Sequence, residues 1–415
     1  MNSPHCRHHI AVLELQCRGN EHASFNAALV ATVLQAHDDA MVSFHANAEH
    51  IQSLREILTQ SEIDLRRVSF GPIVVTSHAW RVSQSRVRAI FRLCRSLFVP
   101  AHQLWTAFRS KNEAVERSVV LATVNVRHLM LLSLLIPLVP RSLRLVIVLH
   151  SVLNLVRRRS GWASRLFRFA AGKLSRRENT VFLVLASTIR ESLETEHPNL
   201  AKHVQVIEHP FLFDGLVDVR RATKQRRDSN ILTFGFIGVA TPQKGIGAFG
   251  DVAEYALNLA DDASLKYRAG FELAGSFVDP SFRDAFVRAH PKVLQDAPVE
   301  MLSADLFRER LGGIDYALYL YEPEEYVYAA SGALLEALNF GLPIIALNNK
   351  YFEHVFRSAG NIGYLCSSLG EVKETIRNIL AGKHDVQYGA QQNASMAARS
   401  RFTPEANALT LRQIV

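Results

Sequence analysis

Short apolar runs recur along the whole chain, and a helix-length segment separates most of them from the next. Ile10–Gln16, Met41–His45, Val68–Val75, Val119–Val124, Leu143–His150, Val181–Leu185 and Val204–Ile207 read as strands, and Ala23–Ala36 and Ile51–Leu58 read as helices among them. Strands that alternate with helices predict a parallel sheet covered on both faces. A polar stretch without periodicity, Arg220–Asn230, then interrupts the pattern and reads as a linker. Beyond it the alternation restarts with the strand Ile231–Gly238 and the helix Lys244–Ala260. Phe271–Gly275, Val299–Leu302, Tyr316–Tyr321, Pro343–Leu347 and Gly363–Cys366 are the later predicted strands. The expected fold class is α/β, with two doubly wound Rossmann-like domains facing across a cleft at the carboxyl ends of their strands. The expected boundaries are 1–219, a linker at 220–230, 231–400, and a tail at 401–415 whose helix packs back on the first domain.

A chain of 415 residues is long enough for two domains with separate cores. Apolar residues make up 48% and charged residues 21%, which is globular composition. Runs such as Leu134–Val139 fall far short of the ~20 apolar residues of a spanning helix. The start MNSPHCRHHIAVLEL has no apolar core before a cleavage site, so no signal peptide is expected. Cys6, Cys17, Cys94 and Cys366 are scattered, which points to a reducing compartment. His5, Cys6, His8 and His9 cluster at a terminus without a second ligand group at matching spacing, so no metal site is assigned.

Charge is unevenly distributed. From Gly71 to Arg177 the chain has 19 Lys/Arg against Glu113 and Glu116, a net of +17, whereas the whole chain is +8 and the remainder therefore −9. Such a field attracts anionic partners. Within Ser85–Lys111, Val87, Ile90, Phe91, Cys94, Leu97 and Phe98 repeat at helical spacing, with Arg88, Arg92 and Arg95 opposite. Leu104, Trp105, Phe108 and Arg109 continue the pattern after Pro100, and Arg157–Arg177 mixes Trp162, Leu166, Phe167 and Phe169 with basic residues. Amphipathic basic helices with Trp and Phe suit an anionic membrane surface, though a core-facing stripe with solvated arginines gives the same spacing. No nucleic-acid module is present, and nucleic acid is not an expected partner.

The densest signal is Tyr321–Leu347, YEPEEYVYAASGALLEALNFGLPIIAL. Ser331 and Gly332 enter a helix-like run, Ala333–Phe340, that Gly341 and Pro343 stop. A helix entered this way leaves N–H groups for an anion, and Glu336 stands one turn inside, where a carboxylate accepts from sugar hydroxyls. A plain cap and a solvated glutamate would look the same locally. Gly235–Ile246, GFIGVATPQKGI, is a strand, a loop and a helix entrance marked by Lys244, a cation suited to a diphosphate.

Together these segments resemble the nucleotide-binding domain of GT-B glycosyltransferases, especially the large family-4-type group. The resemblance covers the carboxy-terminal half in element order. The amino-terminal half is similar more loosely, through VIVLH ending at His150 and VIEHP ending at Pro210. It implies that Lys244 neutralises the donor diphosphate, Glu336 holds the ribose hydroxyls, and His150 faces the sugar or phosphate. Gly238, Ser331, Gly332 and Ala333 would line the phosphates. Two positions depart from the group: Val239 stands where an Arg is usual, and Tyr328 where the first of two Glu is usual. Glu322, Glu324 or Glu325 replaces that carboxylate only if the loop is rearranged, so Tyr328 and Glu325 are the donor-side candidates there.

Several chemistries lack their motifs. The first strand is not followed by G-x-G-x-x-G, Lys244 is followed by Gly rather than Ser or Thr, and no Asp-x-Asp occurs. The resemblance therefore implies a metal-independent, retaining glycosyltransferase with a nucleotide-sugar as co-substrate and no further cofactor. A glycan or membrane-linked acceptor would approach along Arg88, Arg92, Arg95, Trp105, Arg109 and Trp162 at the cytoplasmic face of a membrane, in polysaccharide or lipid-linked oligosaccharide assembly. A sugar-nucleotide 2-epimerase and a non-catalytic nucleotide-sugar-binding protein share the architecture and stand as the alternatives.

Overall fold

The computed structural model describes residues 8–75, 99–108, 116–154, 161–214, 230–322 and 324–415. By their contacts these form two compact units. One runs to Leu212 and includes Tyr328–Ala330 and Arg401–Val415; the other comprises Phe213–Val327 and Ser331–Ser400.

The first unit holds seven strands: β1 (His8–Glu14), β2 (Ala40–Ala46), β3 (Val68–Pro72), β4 (Glu116–Thr123), β5 (Arg144–Val148), β6 (Thr180–Val184) and β7 (Val204–Val206). Their order is β3-β2-β1-β4-β5-β6-β7, and every pair is parallel. The central strands are apolar on both faces because helices cover both. Val12, Phe44, Val120 and Val146 have no accessible surface. The helix Ala23–Ala36 is apolar almost all round and almost wholly buried, as expected of a helix with no solvent face. One neighbour is the last helix, Pro404–Ile414, whose Leu411 and Ile414 join the same core.

The second unit holds β8 (Ile231–Ile237), β9 (Arg268–Ala274), β10 (Tyr316–Tyr319), β11 (Ile344–Leu347) and β12 (Gly363–Cys366) in the parallel order β12-β11-β10-β8-β9. In each sheet the chain reverses its direction of growth once, between β1 and β4 and between β8 and β10. Ligands of open α/β sheets bind beside such reversals, at the carboxyl ends of the strands.

Three sequence expectations differ from this. Val299–Leu302 is irregular rather than a strand: β9 is the edge of its sheet, and Met301 is exposed instead of finding a partner. β3 stops at Pro72 rather than Val75, its last ladder bond running from the Ile73 N–H to the Ala46 carbonyl at 2.8 Å. The helix expected from Lys244 starts only at Ile246, because Gly245 adopts φ 76° and separates it from a short turn, Pro242–Lys244. Residues 99–108 are helical. Arg88, Arg92, Arg95, Arg109, Cys6, Cys94 and all but the last residue of the proposed linker lie outside the described residues. Cys17 and Cys366 are buried free thiols. Among the described residues no helix is long and apolar enough to cross a membrane.

Candidate functional site

The second unit builds a site at its own reversal point. β8 is driven inward by Leu232, Phe234 and Phe236, and it delivers Gly238 at its carboxyl end. Gly238 takes φ 97° and donates its N–H to the Ala274 carbonyl at 2.7 Å. The loop then turns on Thr241, whose hydroxyl accepts from the Lys244 N–H at 3.3 Å. At Gly245 a Cβ would run into the Leu320 carbonyl, so only glycine brings the loop this close to β10. The result places the Lys244 ammonium 3.7 Å, and the Ala333 Cβ 3.8 Å, from the point where a Gly238 Cβ would stand. One cation therefore sits beside the first turn of the helix Gly332–Asn339.

That helix is prepared at both ends. Ser331 is its N-cap and accepts from the Leu334 N–H at 3.3 Å, while the Tyr321 hydroxyl lies 3.2 Å from the same oxygen. The N–H groups of Gly332 and Ala333 have no acceptor within the helix, which leaves its positive end facing Lys244. Tyr319 donates to the Ala333 carbonyl at 2.7 Å. Behind these phenols lies an aromatic shelf: Tyr321 stacks on Tyr326 at 4.3 Å and meets Phe352. At the other end Arg399 donates to the carbonyls of Leu338 at 2.8 Å and Asn339 at 2.5 Å, offsetting the negative end of the dipole.

Glu336 lies one turn in from Gly332, on the face that Gly332 and Ala333 share with it. It is half-buried. Burial pushes its carboxyl up from the ordinary 4.5 to about 7; Asp214 adds to the rise and Arg308 opposes it. Asp214 is itself held by Asn339, whose Oδ1 accepts from the Asp214 N–H at 2.9 Å, and by Arg308 at 3.6 Å.

Of the other donor-side candidates, Tyr328 is 1% exposed and groups with the first unit. Glu325 lends its backbone to the turn Glu325–Val327, and its side chain lies outside the described set. Glu322 and Glu324 are exposed, and so is Val239.

In the first unit His150 follows β5 and has aromatic neighbours. Its ring lies 4.7 Å from that of His22, 5.4 Å from Phe25 and 6.0 Å from His209. Burial, then His22 and His209, hold its pKa well below the usual imidazole value, and burial leaves His209 at about 4. These rings are neutral at physiological pH and suit hydroxyls rather than phosphate charge. The β1–helix turn beside them is anchored by Glu14, which has no accessible surface. Its carboxylate accepts from the Gln16 and Cys17 N–H groups at 2.8 and 3.0 Å, from Thr123 at 2.5 Å and from Asn26 at 3.1 Å. Asn26 also donates to His50 Nε2 at 2.9 Å, which fixes the Nδ1–H tautomer that donates to the Gly19 carbonyl at 2.9 Å.

Trp162 is 68% exposed on the helix Trp162–Leu174, and Phe169, two turns on, is 58% exposed. Arg165 and Arg168 are exposed beside them. The helix Val126–Leu135 packs alongside and exposes Leu134. Trp105 is half-buried.

Tyr319, Asp214, Arg308, Arg399, His22, His209 and Glu14 were not among the sequence candidates. The Tyr-x-Tyr alternation ahead of the Ser-Gly pair could have marked Tyr319, and His209 lies in the VIEHP run that the sequence already singles out; the others carry no local signal.

No family profile and no curated protein matches this chain in sequence. Solved structures do match it in fold. HepE of Anabaena, in complex with UDP, superposes with a TM-score of 0.61 at 15% identity, over 97% of this chain and 98% of that one. TarM of S. aureus, in a complex that contains UDP, gives 0.63 at 8% identity over 98% and 99%. WaaG, a glycosyltransferase involved in lipopolysaccharide biosynthesis, gives 0.56 at 14% identity over 98% of each. The chain has the GT-B architecture: two parallel Rossmann-like sheets, of seven and five strands.

Proposed function

We propose that the protein is a glycosyltransferase that moves a sugar from a uridine diphosphate sugar to a hydroxyl of a glycan or membrane-linked acceptor. The observation that carries this reading is the Lys244 ammonium beside the open first turn of Gly332–Asn339, with Glu336 one turn deeper. A diphosphate fits the cation and helix mouth, and a pentose fits the carboxylate behind them. The UDP held by HepE and TarM, and the UDP-glucose held by HepE, support uridine as the base.

In the transfer, the acceptor oxygen bonds to the anomeric carbon as the bond from that carbon to the diphosphate breaks. Lys244 and the helix dipole offset the charge that develops on the leaving diphosphate. The hydroxyl proton leaves with it, and the anomeric configuration is retained, as in the group the motifs resemble. The first unit takes the acceptor, with the neutral imidazole of His150 toward its hydroxyls. Trp162, Arg165 and Phe169, with the basic span around them, dock on anionic lipid. On this reading the enzyme works at the inner face of a membrane, in polysaccharide or lipid-linked oligosaccharide assembly.

A thermal-shift panel of UDP, GDP and ADP, each with its sugar conjugates, tests the donor site. A ligand at 100 times its dissociation constant adds about 2.7 kcal/mol of stability. UDP should raise the midpoint, and Lys244→Ala should abolish the rise. No response to any nucleotide would sink the reading. Turnover of a UDP-sugar to its epimer without acceptor would move the protein to the epimerase class, and binding without turnover against any acceptor would make it a non-catalytic binder.

A further inference from the structure

The amino-terminal edge of the first sheet gathers side chains that the transfer chemistry does not use. The register sets His8 beside Ala40 on one side and beside Glu116 on the other. Asp39 immediately precedes Ala40, and His37 ends the helix Ala23–Ala36. The fold thus brings His8, His37 and Asp39 to one corner, although a whole helix separates the two histidines.

Ligand atoms of the three residues all lie within 4.8 Å of one another. The imidazoles of His8 and His37 are 4.4 Å apart between centroids, tilted by 36°. His37 is 8% exposed, and its Nε2 has no hydrogen-bond partner among the described residues. A buried ring nitrogen left without a partner in a folded chain calls for an explanation. Glu116 Oε2 lies 3.4 Å from His8 Nδ1, the relation in which a carboxylate orients a metal-binding imidazole.

The backbone here is firmly held. Arg67 donates to the carbonyls of Leu34 at 2.7 Å, Asp38 at 2.7 Å and His37 at 3.3 Å, and Arg412 donates to that of Ala36. These two guanidiniums thus clamp the turn through its carbonyls.

We propose that His8, His37 and Asp39 bind a divalent cation of the zinc class, with water in the fourth position. Two imidazoles and one carboxylate are a zinc-type donor set, whereas magnesium and calcium prefer oxygen alone. Bonds of about 2.1 Å set ligand atoms about 3.4 Å apart in a tetrahedron. Closing the observed spacing takes up to about 1.4 Å of side-chain movement, which half-buried His8 and exposed Asp39 can supply. The corner lies at the opposite end of the sheet from His150. A metal there would clip β1, β2 and the end of the first helix together rather than take part in transfer.

Untagged full-length protein, stripped with a chelator, would be titrated with Zn²⁺ and Co²⁺. One equivalent should bind at tens of micromolar protein, Co²⁺ should give the visible absorption of a tetrahedral site, and Zn²⁺ should raise the thermal midpoint. His37→Gln and Asp39→Asn should each weaken binding at least about tenfold and remove the midpoint rise. Asp39 is exposed and Asn matches its shape, so that variant keeps the test open if His37→Gln fails to fold. Absence of stoichiometric binding, or full affinity in Asp39→Asn, would overturn the proposal; the second result would move the metal to other histidines.

Discussion

Glu336→Gln separates the electrostatics of the proposed donor site from its role in binding. The carboxyl titrates at about 7 in the folded protein and at 4.5 in an ordinary setting. At about 1.4 kcal/mol per pH unit, ionising it in place costs about 3 kcal/mol more than ionising it in the unfolded chain. The sign follows from proton counts. Between 4.5 and about 7 the folded state binds more protons than the unfolded one, so this group's contribution to stability falls as pH rises through that window and levels off above it. Glutamine carries no charge and removes the dependence. Urea denaturation of both proteins from pH 4.5 to 8.5 would give the difference in stability, in which the other titrating groups cancel to first order. The variant should match the wild type near pH 4.5 and become up to about 3 kcal/mol more stable above pH 7. It should also bind UDP more weakly, since sugar hydroxyls prefer an ionised acceptor. Wild-type binding measured calorimetrically near pH 7 in two buffers of unlike ionisation enthalpy should release protons that the variant does not. A stability difference that does not vary with pH would refute the reasoning, because the carboxyl would then be equally acidic folded and unfolded.

Three further outcomes follow from the same geometry. Arg399→Ala strips two carbonyls of a charged donor at the end of Gly332–Asn339, and urea titration should show a loss of about 2–3 kcal/mol. Gly245→Ala forces a Cβ into the Leu320 carbonyl at positive φ, and thermal denaturation should show it to be destabilised by more than about 1 kcal/mol. His50 has a pKa below the usual imidazole value, chiefly through burial. The stability it contributes is therefore present above pH 6.5 and lost as pH falls below it, so the hydrogen-exchange protection factors at the Gly19 turn should fall on acidification in the wild type and less so in His50→Gln.

The fold was largely legible because the information is local. Central strands such as Val119–Val124 and Ile231–Gly238 are apolar without alternation, and only a sheet covered on both faces accommodates that pattern. Where tertiary partners decide, the reading failed. Val299–Leu302 has strand composition but no neighbour to pair with, and the helix beyond Lys244 is interrupted by a glycine whose φ depends on the approach of β10. Within the candidate site, Ser331, Gly332 and Glu336 share one helix, so their spacing is visible in the chain itself.

Amino-acid order alone determined most of the strands and helices, where Gly341 and Pro343 halt a helix, and that Ser331 caps one. Those outcomes rest on backbone sterics and on periodic burial, both set by residues close in sequence. The packed fold alone decided that Lys244 stands beside Ala333, that Asp214 and Arg308 adjust the acidity of Glu336, and that Arg399 closes the far end of its helix. It also decided that two imidazoles crowd His150. Charge–charge energies and desolvation depend on distance through space and on what excludes water, and neither quantity is written along the chain.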